Sequence, residues 1–267
     1  MFLRIVTFLA LSQLAAGVAC AAGFAPHLAE YELYLDRNAL GNDVVASGGR
    51  MEIRYEKSCE FWTTTFMFNF DMVLANGAPI NIGFVSWSEE SLDGSTYRFE
   101  HAELSMGEIV QAMAGTAHTG TDAPAEAIFT MPERNRVSLP AGTVFPIAAW
   151  QDLLDNVADG KNAAAYTLFD GWDIEGPGIL RLWASHEELD PAAQHSGPEG
   201  GSDLMSGSSW QISSAYFPFG SSDMEPVSSG EEHLFDTGVS NPILFDWDEF
   251  AIGARATSVT ALPSPDC

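Results

Sequence analysis

The sequence predicts a mainly β fold, a sandwich or barrel-like antiparallel meander carrying a single helix. Three observations lead there. Apolar and polar residues alternate with period two through most of the chain. Turn pairs such as Asn76-Gly77 and Asp93-Gly94 interrupt the alternation at short intervals, and only one stretch has helical spacing. Strands broken at that rate, with no helix between them, argue against a βαβ sheet.

The first strand is read from Tyr31, Leu33 and Leu35 alternating with Glu30, Glu32, Tyr34 and Asp36. After Ser47-Gly48-Gly49, Met51, Ile53 and Tyr55 alternate with Arg50, Glu52, Arg54 and Glu56. Both look half-buried, with one wet face. The strand after Cys59 is aromatic, with Phe66, Phe68 and Phe70 on one face, and packed core is the simplest reading of that face. Ile80–Trp87 and Thr96–Leu104 give two more strands. Met106–Ala114 fits a short helix or a strand, and Gly115–Ala125 reads as a loop.

Leu139–Pro146 is an extended approach to the helix, expected over Pro146–Asp159, about 14 residues. Proline suits its first turn and Gly160 the position beyond its last. Ile147, Trp150, Leu154 and Val157 share one face and should pack onto the sheet. Strands resume at Ala164–Phe169, Ile179–Trp183, Trp210–Phe217, Glu232–Thr237, Ile243–Asp246 and Phe250–Leu262. Between them Asp190–Ser209, rich in Pro, Gly and Ser, reads as a surface loop within one domain.

Of the 267 residues 46% are hydrophobic, including 17 Phe and 7 Trp, which suffices for a packed core and excludes global disorder. The net charge of −26 opposes nucleic acid and anionic lipid surfaces. Because the acids are scattered, solvation of the surface is the expected role. The N-terminus has a short basic start at Met1–Arg4, an apolar run from Ile5 to Val18 and small residues at Ala19-Cys20-Ala21, the pattern of a signal peptide over residues 1–21. A single domain would then occupy residues 24–267. Losing one Arg and no acid gives a mature charge of −26 − 1 = −27. Gly17-Val18-Ala19-Cys20 is a loose lipobox, so lipid anchoring through Cys20 is the alternative. Gly17 stands where a leucine is usual, and ordinary cleavage is expected. No later run approaches the ~20 apolar residues a spanning helix needs.

Cys59 and Cys267 remain in the mature chain. An even pair in an exported protein favours a bridge over two unrelated thiols. Motifs for chemistry are missing. No nucleophile turn of the Gly-x-Ser-x-Gly kind occurs, and His186-Glu-Glu-Leu-Asp190 has Asp where a zinc motif needs its second His. His27, His101, His118, His195 and His233 lack ligand spacing. Asp170–Glu175 has carboxylates but not the loop of a calcium site, and reads as a turn. No phosphate loop or dinucleotide fingerprint appears. The expectation is therefore no catalytic residue, no metal site and no cofactor.

Several segments together carry a resemblance. They are Leu28-Ala-Glu-Tyr-Glu-Leu33, Ser47-Gly-Gly-Arg-Met51, Cys59 with its aromatic strand, and Leu139–Pro146 with its helix. Tyr166–Gly171, Trp210–Phe217 and the closing Val259–Cys267 complete the set. In this order they resemble the EipB-like family of periplasmic cell-envelope integrity proteins of Gram-negative bacteria. The resemblance implies a mainly β, open, spiral-like antiparallel β-barrel with the helix packed against it, and a Cys59–Cys267 disulfide. Ala256–Cys267 would be the final strand and latch of that barrel. The implied function is non-enzymatic support of the envelope, by binding a lipid-like or peptidic ligand or an envelope protein, with a monomer expected. The alternative is an envelope glycan or lipid hydrolase using acidic residues. The Asp190–Ser209 loop and the extreme acidity depart from the family pattern.

Overall fold

The computed structural model describes residues 23–36, 44–119, 125–174, 176–185, 203–220, 225–246 and 250–267. The expected signal peptide with Cys20, His186–Asp190, His195 and most of the Asp190–Ser209 loop lie outside the described residues. The strands are β1 (His27–Leu35), β2 (Val44–Lys57), β3 (Phe61–Leu74), β4 (Pro79–Ser91), β5 (Thr96–Ser105), β6 (Glu108–His118), β7 (Glu126–Met131), β8 (Asn135–Ser138) and β9 (Thr143–Val144). Helix α1 (Pro146–Ala158) follows, and then β10 (Ala163–Leu168), β11 (Gly178–Ser185), β12 (Ser209–Pro218), β13 (Ser228–Phe235), β14 (Ser240–Asp246) and β15 (Ala251–Ala261).

Among the described residues fifteen strands form one sheet, ordered β8-β7-β6-β5-β4-β3-β2-β1-β15-β14-β13-β12-β11-β10-β9. Neighbours are antiparallel except β9 and β10, which are parallel. The first and last of the described strands therefore lie at the middle of the sheet, where β1 pairs β15 from His27↔Ala261 to Leu35↔Ile252. The free edges, β8 and β9, come from the middle of the chain. The barrel is open, as the resemblance implies.

This order corrects the expected role of the tail. β15 is hydrogen-bonded on both sides, to β1 and β14, so it latches no gap. Cys59 lies in the turn between β2 and β3. The tail leaves β15, donates Leu262 N–H to Pro26 O at 2.9 Å, and joins Cys267 to Cys59 with the Cα atoms 5.7 Å apart. The bridge thus crosses the end of the central strand β1, far in strand order from the opening.

The opening is sealed by aromatic packing. Tyr97 and Phe99 from β5 and Phe129 from β7 meet Phe145 and Phe169, which flank α1 and β10. Ring centroids lie 5.1 Å apart for Tyr97–Phe145, 5.7 Å for Phe99–Phe169 and 6.1 Å for Phe129–Phe169, within the range where offset and edge contacts are favourable.

Two local expectations change. Of the two readings of Met106–Ala114 the strand holds and the helix does not: Met106 (φ 51°) and Gly107 (φ 81°) make a tight turn from which β6 runs to His118, taking in part of the expected Gly115–Ala125 loop. Cross-strand pairing to β5 and β7 decides the matter over weak local propensity. Helix α1 ends at Ala158, with Asp159 as its C-cap, one residue short of the expected boundary. It packs Leu153, Leu154 and Val157 against Leu182, Trp210, Ile212 and Leu234 on the concave face of β11–β13.

A cavity inside the open barrel

Along each strand one set of side chains faces inward. At one end of the barrel these fill the interior: Leu33, Met51, Phe70, Met72, Ile252 and Ala254 are all buried in one cluster. Between that cluster and α1 the interior is not filled. A cavity of about 840 Å³ remains, within the usual size of small-ligand sites. The aromatic face of β3 therefore divides. Phe70 is packed core, whereas Phe66 and Phe68 line the cavity. The wall is mainly aromatic and aliphatic, with Phe84, Trp150, Trp172 and Phe245 among its rings.

The helix forms part of this wall through Pro146, Ile147 and Trp150. Its N-terminus is fixed from across the barrel. Phe145 at the N-cap has no capping side chain. Instead Glu90, inward on β4 and 2% exposed, accepts hydrogen bonds from Ile147 N–H and Ala148 N–H, both at 2.8 Å. The carboxyl thus meets two of the amides that a helix start leaves without intrahelical partners.

Polar groups enter the cavity wall at a few points. The Asp170-Gly171-Trp172 segment is a turn, as the sequence suggests, and Asp170 and Trp172 line the cavity. Gly171 has φ +80°, and a Cβ there would lie 2.6 Å from the Phe99 ring, so only glycine fits. The turn presents Trp172 flat against His101, with centroids 4.3 Å apart and planes at 8°. His101 bridges Ser86 Oγ (2.9 Å) and Asp170 O (2.8 Å), and Tyr97 Oη donates to the same carbonyl at 3.1 Å. His27 meets Ala25 O at 2.8 Å. Both histidines are satisfied structural groups, and no cluster fit to hold a metal ion occurs among the described residues.

The two inward carboxyls beside the cavity are Asp170 and Glu232. Both are half-buried as whole residues and line the cavity, and burial of their carboxyls dominates their titration. It lifts Asp170 to about 6 against the hydrogen bond from Trp172 N–H, and Glu232 to about 7 against a hydrogen bond with Ser240. Tyrosines surround them. The phenols of Tyr31 and Tyr55 are pushed up by burial and then by neighbouring groups that include Glu232. Burial and then the charge of Asp170 do the same to Tyr216.

These groups set a pH dependence of stability. Burial also raises Glu90 to about 7, despite its two backbone hydrogen bonds. For Glu90, Asp170 and Glu232 the folded pKa exceeds the unfolded one. The native state therefore binds extra protons, and stability falls as pH rises through the window from ~4 to ~7. Burial lowers His27, and lowers His101 to about 4, so those two oppose by favouring the unfolded state below ~6.5. Three carboxyls outweigh two imidazoles, and relief of acidic self-repulsion adds to them. The melting temperature is expected to rise by several degrees from about pH 8 to about pH 5.5, then fall below about pH 4. A thermal scan that is flat or falls between the first two values contradicts this assignment.

The match to known proteins follows this architecture. The model of the EipB-like family matches residues 18–263. The chain belongs to the EipB-like family. The cell envelope integrity protein EipB of Brucella abortus is 25% identical over 247 residues, covering 90% of this chain and 85% of that protein. A crystal structure of a β-barrel-like protein of a domain of unknown function, also from Brucella abortus, superposes with a TM-score of 0.80 at 22% identity, covering 91% of this chain and all of that one. The second likeness concerns the fold alone. In this EipB-like chain the sequence pointed to the barrel, to both cysteines and to Asp170 as part of a turn, but not to Glu90, to Glu232 or to which residues line the cavity.

Proposed function

We propose that this protein supports the cell envelope from the periplasm by holding an apolar or amphiphilic ligand in the barrel, without catalysing a reaction. A signal peptide over residues 1–21 would deliver it there, with residues 24–267 folding as one domain. The observation that carries the reading is the cavity of about 840 Å³, left open between a packed end and α1 and lined largely by aromatic rings. A core built only for stability would fill such a space, since empty volume in an apolar interior costs ~24 cal/mol per Å³. The relative named for cell-envelope integrity supplies the context.

Thr64 faces the cavity from β3. Thr64→Phe is expected to shrink the space and abolish uptake of an apolar fluorescent probe while the protein still melts cooperatively. Native mass spectrometry of the unaltered periplasmic protein should show an extractable amphiphile. A ligand-free protein that also takes up no probe overturns the reading.

A hydrolase reading has one observation in its favour, the two carboxyls of raised pKa beside one cavity. Both already serve structural hydrogen bonds, Asp170 with Trp172 and Glu232 with Ser240. Turnover of glycan or lipid that disappears in both Asp170→Asn and Glu232→Gln would establish it.

A further inference from the structure

The wall of the cavity carries charge of one sign. Its inward ionisable acids are Asp170 and Glu232, with the exposed Asp173 and Glu231 next to them in the lining, and no Lys or Arg borders it among the described residues. The arginines of the surrounding strands alternate with inward residues and so face outward. Arg54 lies between Ile53 and Tyr55 and pairs with Glu56, Arg98 lies over Trp87, and Arg181 lies over Phe217. A carboxylate or phosphate headgroup entering this space would meet acids and no cation. That is a costly arrangement in an enclosed, weakly polar site.

An ammonium group would meet the opposite. Tyr31, Tyr55, Tyr97 and Tyr216 line the same cavity as Glu232 and Asp170, and Tyr97 Oη donates to the Asp170 carbonyl at 3.1 Å. A wall that combines aromatic rings with carboxyls offers a cation both quadrupole and charge attraction. Phe66, Phe68 and Phe84 extend the wall as an apolar surface for the rest of a ligand. We infer that the cavity selects an amphiphile with a cationic, amine-type head and excludes anionic ones. The inference rests on the binding reading above and adds the head chemistry to it.

The test is a matched series of decylamine, decanol and decanoate, each titrated by calorimetry into the full protein. About 150 mM NaCl screens attraction by surface acids beyond ~8 Å. The amine is expected to bind with one-to-one stoichiometry, ~10-fold tighter than the alcohol, with the acid weakest. Glu232→Gln and Asp170→Asn should each reduce the amine's advantage and leave decanol binding in place. Glu32→Gln, on the exposed outer face of β1, should change nothing. Equal binding of all three, or tighter binding of decanoate, overturns the head assignment and leaves the binding reading standing. No binding of any of them overturns both. If Asp170→Asn does not fold, the ranking in the unaltered protein and Glu232→Gln decide the matter.

Discussion

Cys59→Ser, or Cys267→Ser, is expected to lower the melting temperature by roughly 10–20 °C without changing the β content. The magnitude comes from the loop that the bridge closes. With the half-cystines 208 positions apart in sequence, the chain-entropy model assigns ~5 kcal/mol of destabilisation to the unfolded state. At this chain length each kcal/mol moves the midpoint by about 2–4 °C. The fold should survive, because β15 keeps its pairing with β1 and β14 whether or not the tail is tied. Both half-cystines are exposed, so reductant alone should reproduce the effect in the unaltered protein. Reduced and oxidised protein melting together, or peptide mapping that finds two free thiols, would refute it. Proteolysis should begin in residues 262–267 once the bridge is lost, since among the described residues that segment has one backbone tether, Leu262 to Pro26.

The central position of the bridge could not be read from the residues. An even pair of cysteines points to a bridge but not to strand order, and a terminal strand reads the same whether it ends a sheet or sits within one. Strand order depends on non-local pairing, which leaves no period in the sequence. The long strands were legible because each has a dry and a wet face. β8 and β9 were not, with only four and two residues to alternate. The cavity was hidden for a related reason: Phe66 and Phe70 have the same pattern, though one faces empty volume and the other packed core. The buried acids show how local the ambiguity is. Glu90 and Glu232 are each the second residue of a Glu-Glu pair, Glu89-Glu90 and Glu231-Glu232, with one member inward and its neighbour outward. Only a fixed register tells them apart, and a slip of one residue would exchange them.

Glu90→Ala is the second large effect expected. It removes the acceptor of two N–H groups at the start of α1, in a place with little access to water. Leaving the buried Ile147 N–H and the half-buried Ala148 N–H unpaired costs about 1–3 kcal/mol each, and the lost side-chain volume adds to that. A total of ~4 kcal/mol and a fall of ~10 °C in melting temperature are expected. Because Pro146, Ile147 and Trp150 belong to the cavity wall, probe binding should weaken as well. Glu90→Gln separates the charge from the hydrogen bonds. It keeps one acceptor oxygen and has no proton to lose. The unaltered protein loses stability as pH rises toward the folded pKa of about 7, because the buried carboxyl must ionise; the glutamine variant has no such loss at this position. The stability gap between the two is therefore expected to be widest near pH 5 and to narrow by about pH 8. A gap that widens instead would mean that the two helix amides, with the dipole behind them, stabilise the ionised carboxylate by more than its burial costs. Glu90 would then be an ordinary ionised cap, and the alkaline loss of stability would fall to Asp170 and Glu232 alone.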